Sequence, residues 1–315
     1  MVCVVSTSSL PIDLAATLPH ARVDVPADWR GITRTDLADA DALVCLLLDR
    51  IDADVIARAP RLRVIANCAV GYDNIDVTAA TRAGIAVTNT PDVLTEATAE
   101  LAFALLLAAA RRLPEGDRLI RSGDWQGWRL DQLLGVQLAG KTLGVIGFGR
   151  IGQAMVRRAE AFGMRAIWAD PHAAGARTID EVFAEADAVS LHCPLTPETR
   201  HLVHAERLAR MKPTAILVNT ARGGCVDEDA LIAALHAGRI FAAALDVFAR
   251  EPEIDRRLYD CPRLVLAPHI GSATTEARTQ MARLCADAVS DVLAGRRPVN
   301  LVNREVVIRG VVRDG

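Results

Sequence analysis

Short runs of β-branched and other apolar residues alternate with amphipathic segments along almost the whole chain, the pattern of βαβ units built on a mostly parallel sheet. In the first part, the runs 2–5, 22–25, 42–47, 63–67 and 85–88 predict strands. Residues 53–59 and 76–83 predict helices, the second stopped by Gly84. A long Ala/Leu-rich stretch from Thr95 to about Arg112 predicts a helix connecting two domains. Residues 122–128 are turn-rich and hold Trp125 and Trp128, too polar for core and too aromatic for a plain linker, and predict an interface loop. From Lys141 the alternation restarts, with strands over 142–146, 166–169, 188–192, 215–219, 242–247 and 264–267. Helices are predicted over 150–162, 229–237 and 274–293.

This succession predicts an α/β fold of two doubly wound parallel-sheet domains with a cleft between them. A Rossmann-type nucleotide domain is expected over 95–287, and a smaller flavodoxin-like substrate domain from 1–94 together with 288–315. The tail, 299–315, is too short for a domain and is expected to return to the first.

Composition narrows the function. With 51% hydrophobic residues and a net charge of -3 over 315 residues, the chain has enough apolar surface to fold, which excludes intrinsic disorder. No basic block is present, which argues against a nucleic-acid partner. The longest apolar run, 101–110, is flanked by Glu100, Arg111 and Arg112 and falls short of the roughly 18 residues of a membrane span, so no membrane partner is expected. The N-terminus lacks a positive n-region and a small-residue cleavage site and is predicted as a first strand. Seven scattered cysteines, with no C-x-x-C pair, fit reduced thiols in a cytoplasm, with neither a disulfide framework nor zinc. Of the histidines, His20, His172, His201, His204 and His236 fall in turns or polar faces, and His192 is expected to end a strand. With no H-x-x-x-H helix or carboxylate cluster, no metal site is expected.

The strand over 142–146 runs directly into Gly147-Phe148-Gly149-Arg150-Ile151-Gly152 and then into an amphipathic helix. Gly147 suits a tight turn, Gly149 lets the backbone approach a pyrophosphate, and Gly152 permits close packing of helix on strand. The helix N-terminus offers N–H donors and a positive dipole end to the phosphates. The next strand ends in Asp170, near the ~20-residue offset at which a carboxylate takes ribose hydroxyls and repels a 2′-phosphate. NAD is therefore the expected cofactor, with NADP possible.

Three polar residues fall after successive strands: Arg222 in Asn219-Thr220-Ala221-Arg222-Gly223, Glu251 in the segment 246–252, and His269 in the segment 267–272. Carboxyl ends of strands are where open α/β folds bind ligands. A guanidinium there can hold a carboxylate bidentately.

These segments resemble the D-2-hydroxyacid dehydrogenase family, in particular its glyoxylate and hydroxypyruvate reductase branch. The resemblance covers nearly the whole chain and rests on the segments 67–76, 91–100, 147–152, 191–199, 219–223, 246–252 and 268–274, in the family's order. It implies reduction of a small 2-oxoacid by a nicotinamide cofactor, with Arg222 orienting the substrate's carboxylate and keto oxygen. It also implies that His269 is the general acid and that Glu251 pairs with its imidazole. A carboxylate beside an imidazole favours the protonated ring. Backbone N–H groups of Val70 and Gly71 would hold the substrate carboxylate, and Asp246 would meet the nicotinamide carboxamide. Cys193 and Pro194 would border the adenosine, and Thr98 would approach the cofactor from the long helix. Thr199, Thr220, Ala221, His269 and Gly271 complete the implied cofactor contacts. The family's dimeric habit implies a homodimer through the nucleotide domain.

Alternatives stand beside this reading. A formate dehydrogenase has Gln where this chain has Glu251, and a phosphite dehydrogenase carries a basic residue in the loop of Val70, so both are disfavoured. A phosphoglycerate dehydrogenase, another D-2-hydroxyacid dehydrogenase, or an NAD-sensing corepressor that binds without turnover share the fold. One departure is Leu48, where this branch often has a small polar residue, which predicts a more apolar substrate pocket.

Overall fold

The structure, a computed structural model, describes residues 2–26 and 31–310; the last five residues of the expected tail, 311–315, lie outside them. The chain divides into two units, with crossings at Leu94–Thr95 and at Gly271–Ser272. The first unit opens with β1 (Val2–Ser6), α1 (Leu14–Thr17), β2 (Ala21–Asp24), β3 (Ala42–Cys45) and α2 (Ala53–Ala57), then β4 (Val64–Asn67), α3 (Val77–Arg82) and β5 (Ala86–Thr88). The second holds α4 (Thr95–Ala110), α5 (Leu113–Arg121), β6 (Thr142–Ile146), α6 (Arg150–Ala161), β7 (Arg165–Ala169) and α7 (Ile179–Glu185). It continues with β8 (Ala188–Leu191), α8 (Ala205–Arg210), β9 (Ile216–Asn219), α9 (Glu228–His236), β10 (Ala242–Leu245) and β11 (Leu264–Leu266). Helix α10 (Thr275–Leu293) returns to the first unit.

In the first unit the sheet order is β2-β1-β3-β4-β5, all parallel, the flavodoxin-like order. Side chains alternate between two buried faces, so the strands read as continuous apolar runs. Val5, Leu43, Ile65 and Val87 lie in one cluster, and Val4, Val44, Val64 and Ala66 in the other. Cys285, Ala286, Val289 and Val292 of α10 belong to that second cluster. This is why the return crossing precedes α10 instead of cutting it at 287/288: the buried stripe of a single helix cannot be shared out between two cores.

Beyond α10 the tail lies along β5. Val302 N–H donates to Val87 O at 2.8 Å, and Leu301 forms an antiparallel bridge with Thr88. The buried amide of Asn303 accepts from Val87 N–H at 2.8 Å and donates to Ile85 O at 3.0 Å.

In the second unit the order is β11-β10-β9-β8-β6-β7, again all parallel. The chain leaves β6 for β7 on one side and reaches β8 on the other, which makes the carboxyl ends of β6 and β8 the topological switch point. Helix α4 is no free connector. It buries Ala102, Phe103, Leu105, Leu106 and Ala109 in the same cluster as Val145, Ile216, Val218 and Ala244. Arg158 on α6 donates to Glu96 at 2.8 Å, tying the two helices further. Arg112 adopts a left-handed φ of 54° between α4 and α5, and α5 buries none of its side chains. The segment after it carries Trp125 and Trp128 exposed. Among the described residues no helix is long and apolar enough to cross a membrane.

Candidate functional site

Five loops at the carboxyl ends of β6, β7, β8, β9 and β10, the segment after β11, and helix α4 carry the candidate site residues of the second unit. After β6 the chain turns at Gly147, whose φ of +92° favours glycine. A Cβ there would stand 2.7 Å from Cys193 N, so this turn and the end of β8 touch through backbone alone. At Gly152 a Cβ would fall 2.2 Å from Gly147 O, which explains the second obligatory glycine.

Gly149 differs, because a Cβ there would meet no protein atom within 4 Å. No packing within the chain requires glycine there. Helix α6 starts at Gly149 with no side-chain cap, as α5 and α8 do at Arg112 and His204, whereas Asp52, Asp76, Thr178, Asp227 and Thr274 cap α2, α3, α7, α9 and α10. An anion would fill the role the missing cap leaves. Arg150 is exposed and Ile151 half-buried at the start of the helix. Thr220, at the end of β9, has a buried hydroxyl with no hydrogen-bond partner. An open glycine, an uncapped helix start and an orphaned hydroxyl together fit a bound dinucleotide.

Asp170 follows β7 and is half-buried. Its carboxylate accepts Phe148 N–H at 2.8 Å and His172 N–H at 2.8 Å. Phe148 stacks on Trp168 with ring centroids 4.3 Å apart, which fixes the turn from the other side. Asp170 is therefore both an acceptor facing the turn and a strut of it.

Cys193 is buried and Pro194 exposed, in the loop after β8. The Thr199 hydroxyl is engaged within that loop: it donates to Pro194 O at 2.7 Å and accepts from Thr196 N–H at 2.7 Å. Just before them, His192 keeps part of its surface accessible and approaches Ser190 Oγ at 2.8 Å. The protein atoms crowded around its ring push its pKa down to about 4, so it stays neutral at physiological pH.

A paired imidazole and carboxylate come from the loops after β10 and β11. His269 Nδ1 lies 2.7 Å from Glu251 Oε2. The other Glu251 oxygen accepts Phe248 N–H at 2.8 Å, which anchors the carboxylate. His269 itself has a left-handed φ of 53°, and its N–H donates to Asp246 O at 2.9 Å. The Asp246 carboxylate, 1% exposed, accepts Ile270 N–H at 2.7 Å and Gly271 N–H at 2.8 Å. One buried aspartate thus pins three consecutive residues around the imidazole. Burial pushes its carboxyl up and the two backbone donors hold it down, with burial prevailing. Thr98 joins this group: a Cβ at Gly271 would stand 3.2 Å from Asp246 Oδ2 and 3.5 Å from Thr98 Cγ2.

Arg222 leaves β9 next to β10 in the sheet. Its loop is shaped by Asn219, whose amide donates to Arg222 O at 2.9 Å and accepts Ala221 N–H at 3.0 Å. Arg222 Nη1 donates to Ala221 O at 2.8 Å. Gly223 seats this loop on the next one, since a Cβ there would lie 1.9 Å from Phe248 C. Chemical type alone marks neither Asn219 nor Gly223 as functional. The sequence signal for both is position, a polar residue and a glycine straight after a buried strand.

Val70 and Gly71 lie in the first unit, in the loop after β4. Their N–H groups have no hydrogen-bond partner among the described residues. Leu48 is exposed in the same unit. No group of three or more His, Cys, Asp or Glu side chains that could hold a metal occurs among the described residues.

Residues 103–271 match the family described as D-isomer specific 2-hydroxyacid dehydrogenase, NAD binding domain. A glyoxylate reductase of Pyrococcus furiosus is 51% identical over 302 residues, covering 90% of each chain. A crystal structure of a Thermus thermophilus protein superposes with a TM-score of 0.88 at 45% identity, covering 95% of this chain and 99% of that one. An NADPH-dependent glyoxylate/hydroxypyruvate reductase of Sinorhizobium meliloti, in complex with NADP and malonate, superposes with a TM-score of 0.86 at 31% identity, covering 99% of each chain.

Proposed function

The chain belongs to the D-isomer specific 2-hydroxyacid dehydrogenase family, a family of oxidoreductases with an NAD-binding domain, and from that premise we propose that it reduces glyoxylate or hydroxypyruvate to the corresponding 2-hydroxyacid. The observation that carries the reading is the 2.7 Å contact between His269 Nδ1 and Glu251. It orients an imidazole at the carboxyl edge of the same parallel sheet that carries the glycine turn after β6. The relatives named glyoxylate reductase support the substrate class.

A bound nicotinamide dinucleotide supplies the hydride. The turn Gly147, Phe148, Gly149, Arg150, Ile151 and Gly152 would hold its phosphates and Asp170 its ribose. Cys193, Pro194, Thr199, Thr220 and Ala221 would line its path, with Thr98, Asp246 and Gly271 at the nicotinamide end. Glu251 keeps a proton on Nδ1 of His269, so Nε2 is the nitrogen that delivers a proton to the keto oxygen. Arg222 and the N–H groups of Val70 and Gly71 would hold the substrate carboxylate, and Arg222 would also polarise the keto group. In the reverse direction the neutral imidazole takes the proton back.

Loss of NADH absorbance on adding glyoxylate or hydroxypyruvate tests the reading, and nucleotide binding with no turnover on any 2-oxoacid refutes it. The relative from Sinorhizobium meliloti is NADPH-dependent. Here Asp170 repels a 2′-phosphate, so kcat/KM is expected to be higher with NADH, and equal or better efficiency with NADPH removes that assignment. The same preparation should scatter light as a homodimer paired through the exposed Trp125 and Trp128 segment, and a monomeric mass removes the pairing.

Gly149→Ala separates the cofactor from the fold. The added methyl meets no protein atom, so stability should change by about 1 kcal/mol or less. The NADH Kd should rise at least about tenfold, as a methyl intrudes where the pyrophosphate would approach. Unchanged NADH affinity in a titration of intrinsic fluorescence would move the phosphates elsewhere.

A further inference from the structure

The loop carrying Val70 and Gly71 is held by its carbonyl groups. Thr90 N–H donates to Ala69 O at 2.9 Å, the Asn89 side-chain amide to Val70 O at 2.8 Å, and the Asn67 amide to Gly71 O at 2.8 Å. Three successive carbonyls are engaged while the N–H groups of Val70 and Gly71 donate to nothing among the described residues. The peptide bonds here are trans. In a trans peptide the C=O and N–H of one plane point in opposite directions. Holding Ala69 O therefore aims Val70 N–H away from Thr90, and holding Val70 O aims Gly71 N–H away from Asn89.

Asn89 is itself fixed. Its carbonyl accepts the Asn300 side-chain amide at 2.6 Å, and its N–H donates back to Asn300 O at 3.4 Å. Both contacts use the Asn89 backbone, so its side chain is left for Val70. Asn67, fully buried, is braced by the Asn74 amide at 3.4 Å on its oxygen. The chain spends two asparagine side chains on orienting one short stretch of backbone.

We propose that Asn89 is a positioning residue for the substrate carboxylate. Its bond to Val70 O sets the Val70–Gly71 peptide plane and so the direction of Gly71 N–H, beside the Val70 N–H that Thr90 sets through Ala69 O, so that both N–H groups are left to face an anion. This rests on the reading of Val70 and Gly71 as the carboxylate grip. The arrangement selects a charged carboxylate at the end of a small 2-oxoacid, because an amide or ester at that place offers a weaker acceptor to the paired donors.

Asn89→Ala and the near-isosteric Asn89→Leu both remove the donor while keeping the backbone contacts with Asn300. In each, KM for glyoxylate should rise by about tenfold, the effect of losing one orienting hydrogen bond. The fall in kcat should be smaller and the NADH Kd unchanged. Asn89→Gln, which keeps a donor, should recover part of the loss. Unchanged KM in both donor-less variants overturns the proposal, as does an equal loss of NADH affinity, which would mark general loosening. A wild-type enzyme inert to every 2-oxoacid fails the functional reading itself, whereas active wild type with indifferent Asn89 variants fails Asn89 alone.

Discussion

Alanine at position 269 is expected to lower kcat for glyoxylate reduction by about 10²- to 10⁴-fold, the usual contribution of a positioned general acid. The NADH Kd should change far less, because the other groups assigned to the dinucleotide keep their supports. Gly271 and Ile270 remain pinned by Asp246 through their own N–H groups. The His269 N–H bond to Asp246 O is made by the backbone and survives the substitution. Only the proton at Nε2 is lost. Glu251→Gln keeps a partner for Nδ1 but not the charge, so its loss should be smaller than that of His269→Ala. Rapid mixing under single-turnover conditions checks both, and turnover of His269→Ala within about tenfold of wild type would exclude His269 as the acid.

The second large effect is expected at Gly223, which touches no reactant. A methyl there would lie 1.9 Å from Phe248 C, 2.1 Å from Phe248 O and 2.4 Å from Ala249 N, all backbone atoms that cannot swing aside. The loops after β9 and β10 must separate. The first carries Arg222, and the second holds Glu251 through Phe248 N–H. Overpacking of this kind costs about 1 to 3 kcal/mol or more. A displacement of about 1 Å between catalytic groups costs on the order of 100-fold in rate. Gly223→Ala should therefore lose both thermal stability and kcat/KM. The neighbouring Gly224→Ala is the control. Its methyl would meet the Leu195 side-chain tip at 3.1 Å, which can yield, so its loss should be small. Equal behaviour of the two variants would contradict the close seating of the loops.

Much of the fold is legible because every central strand is buried on both faces and so reads as an uninterrupted apolar run. The runs at 142–146, 188–192 and 215–219 fall within a residue of the observed strands. Helix α5 is absent from the predicted elements: Pro114 and Gly116 fall inside it, and although it is amphipathic it buries no side chain and leaves Leu113 and Ile120 exposed. Helix α7 is absent from the predicted elements although its start is marked in the chain: Thr178 and Glu181 form a reciprocal capping box there. The return crossing falls earlier than expected because the long helix over 275–293 is amphipathic throughout, and periodicity does not say against which sheet a stripe will pack.

At the site the division is similar. The glycine turn is local chemistry, with its strand before and helix after, and can be read directly. The pairing of Glu251 with His269 joins loops 18 residues apart, and nothing in that spacing fixes it; resemblance to the family named the partners. Asn89 acts on a carbonyl 19 residues away and Asn219 on one three residues away. Residues whose partners are backbone atoms leave no complementary side chain to search for.

β5 ends its sheet, and a parallel sheet that ends in a bare strand presents a row of free donors and acceptors to any passing chain. The lacing of residues 301–303 along β5 closes that row. The C-terminal segment thereby occupies the edge at which another chain would otherwise pair with β5. A chain trimmed before Asn300 would expose a template for edge-to-edge stacking, and aggregation on standing would be its first symptom. Extensions belong beyond Gly310, where that segment has already been laid down.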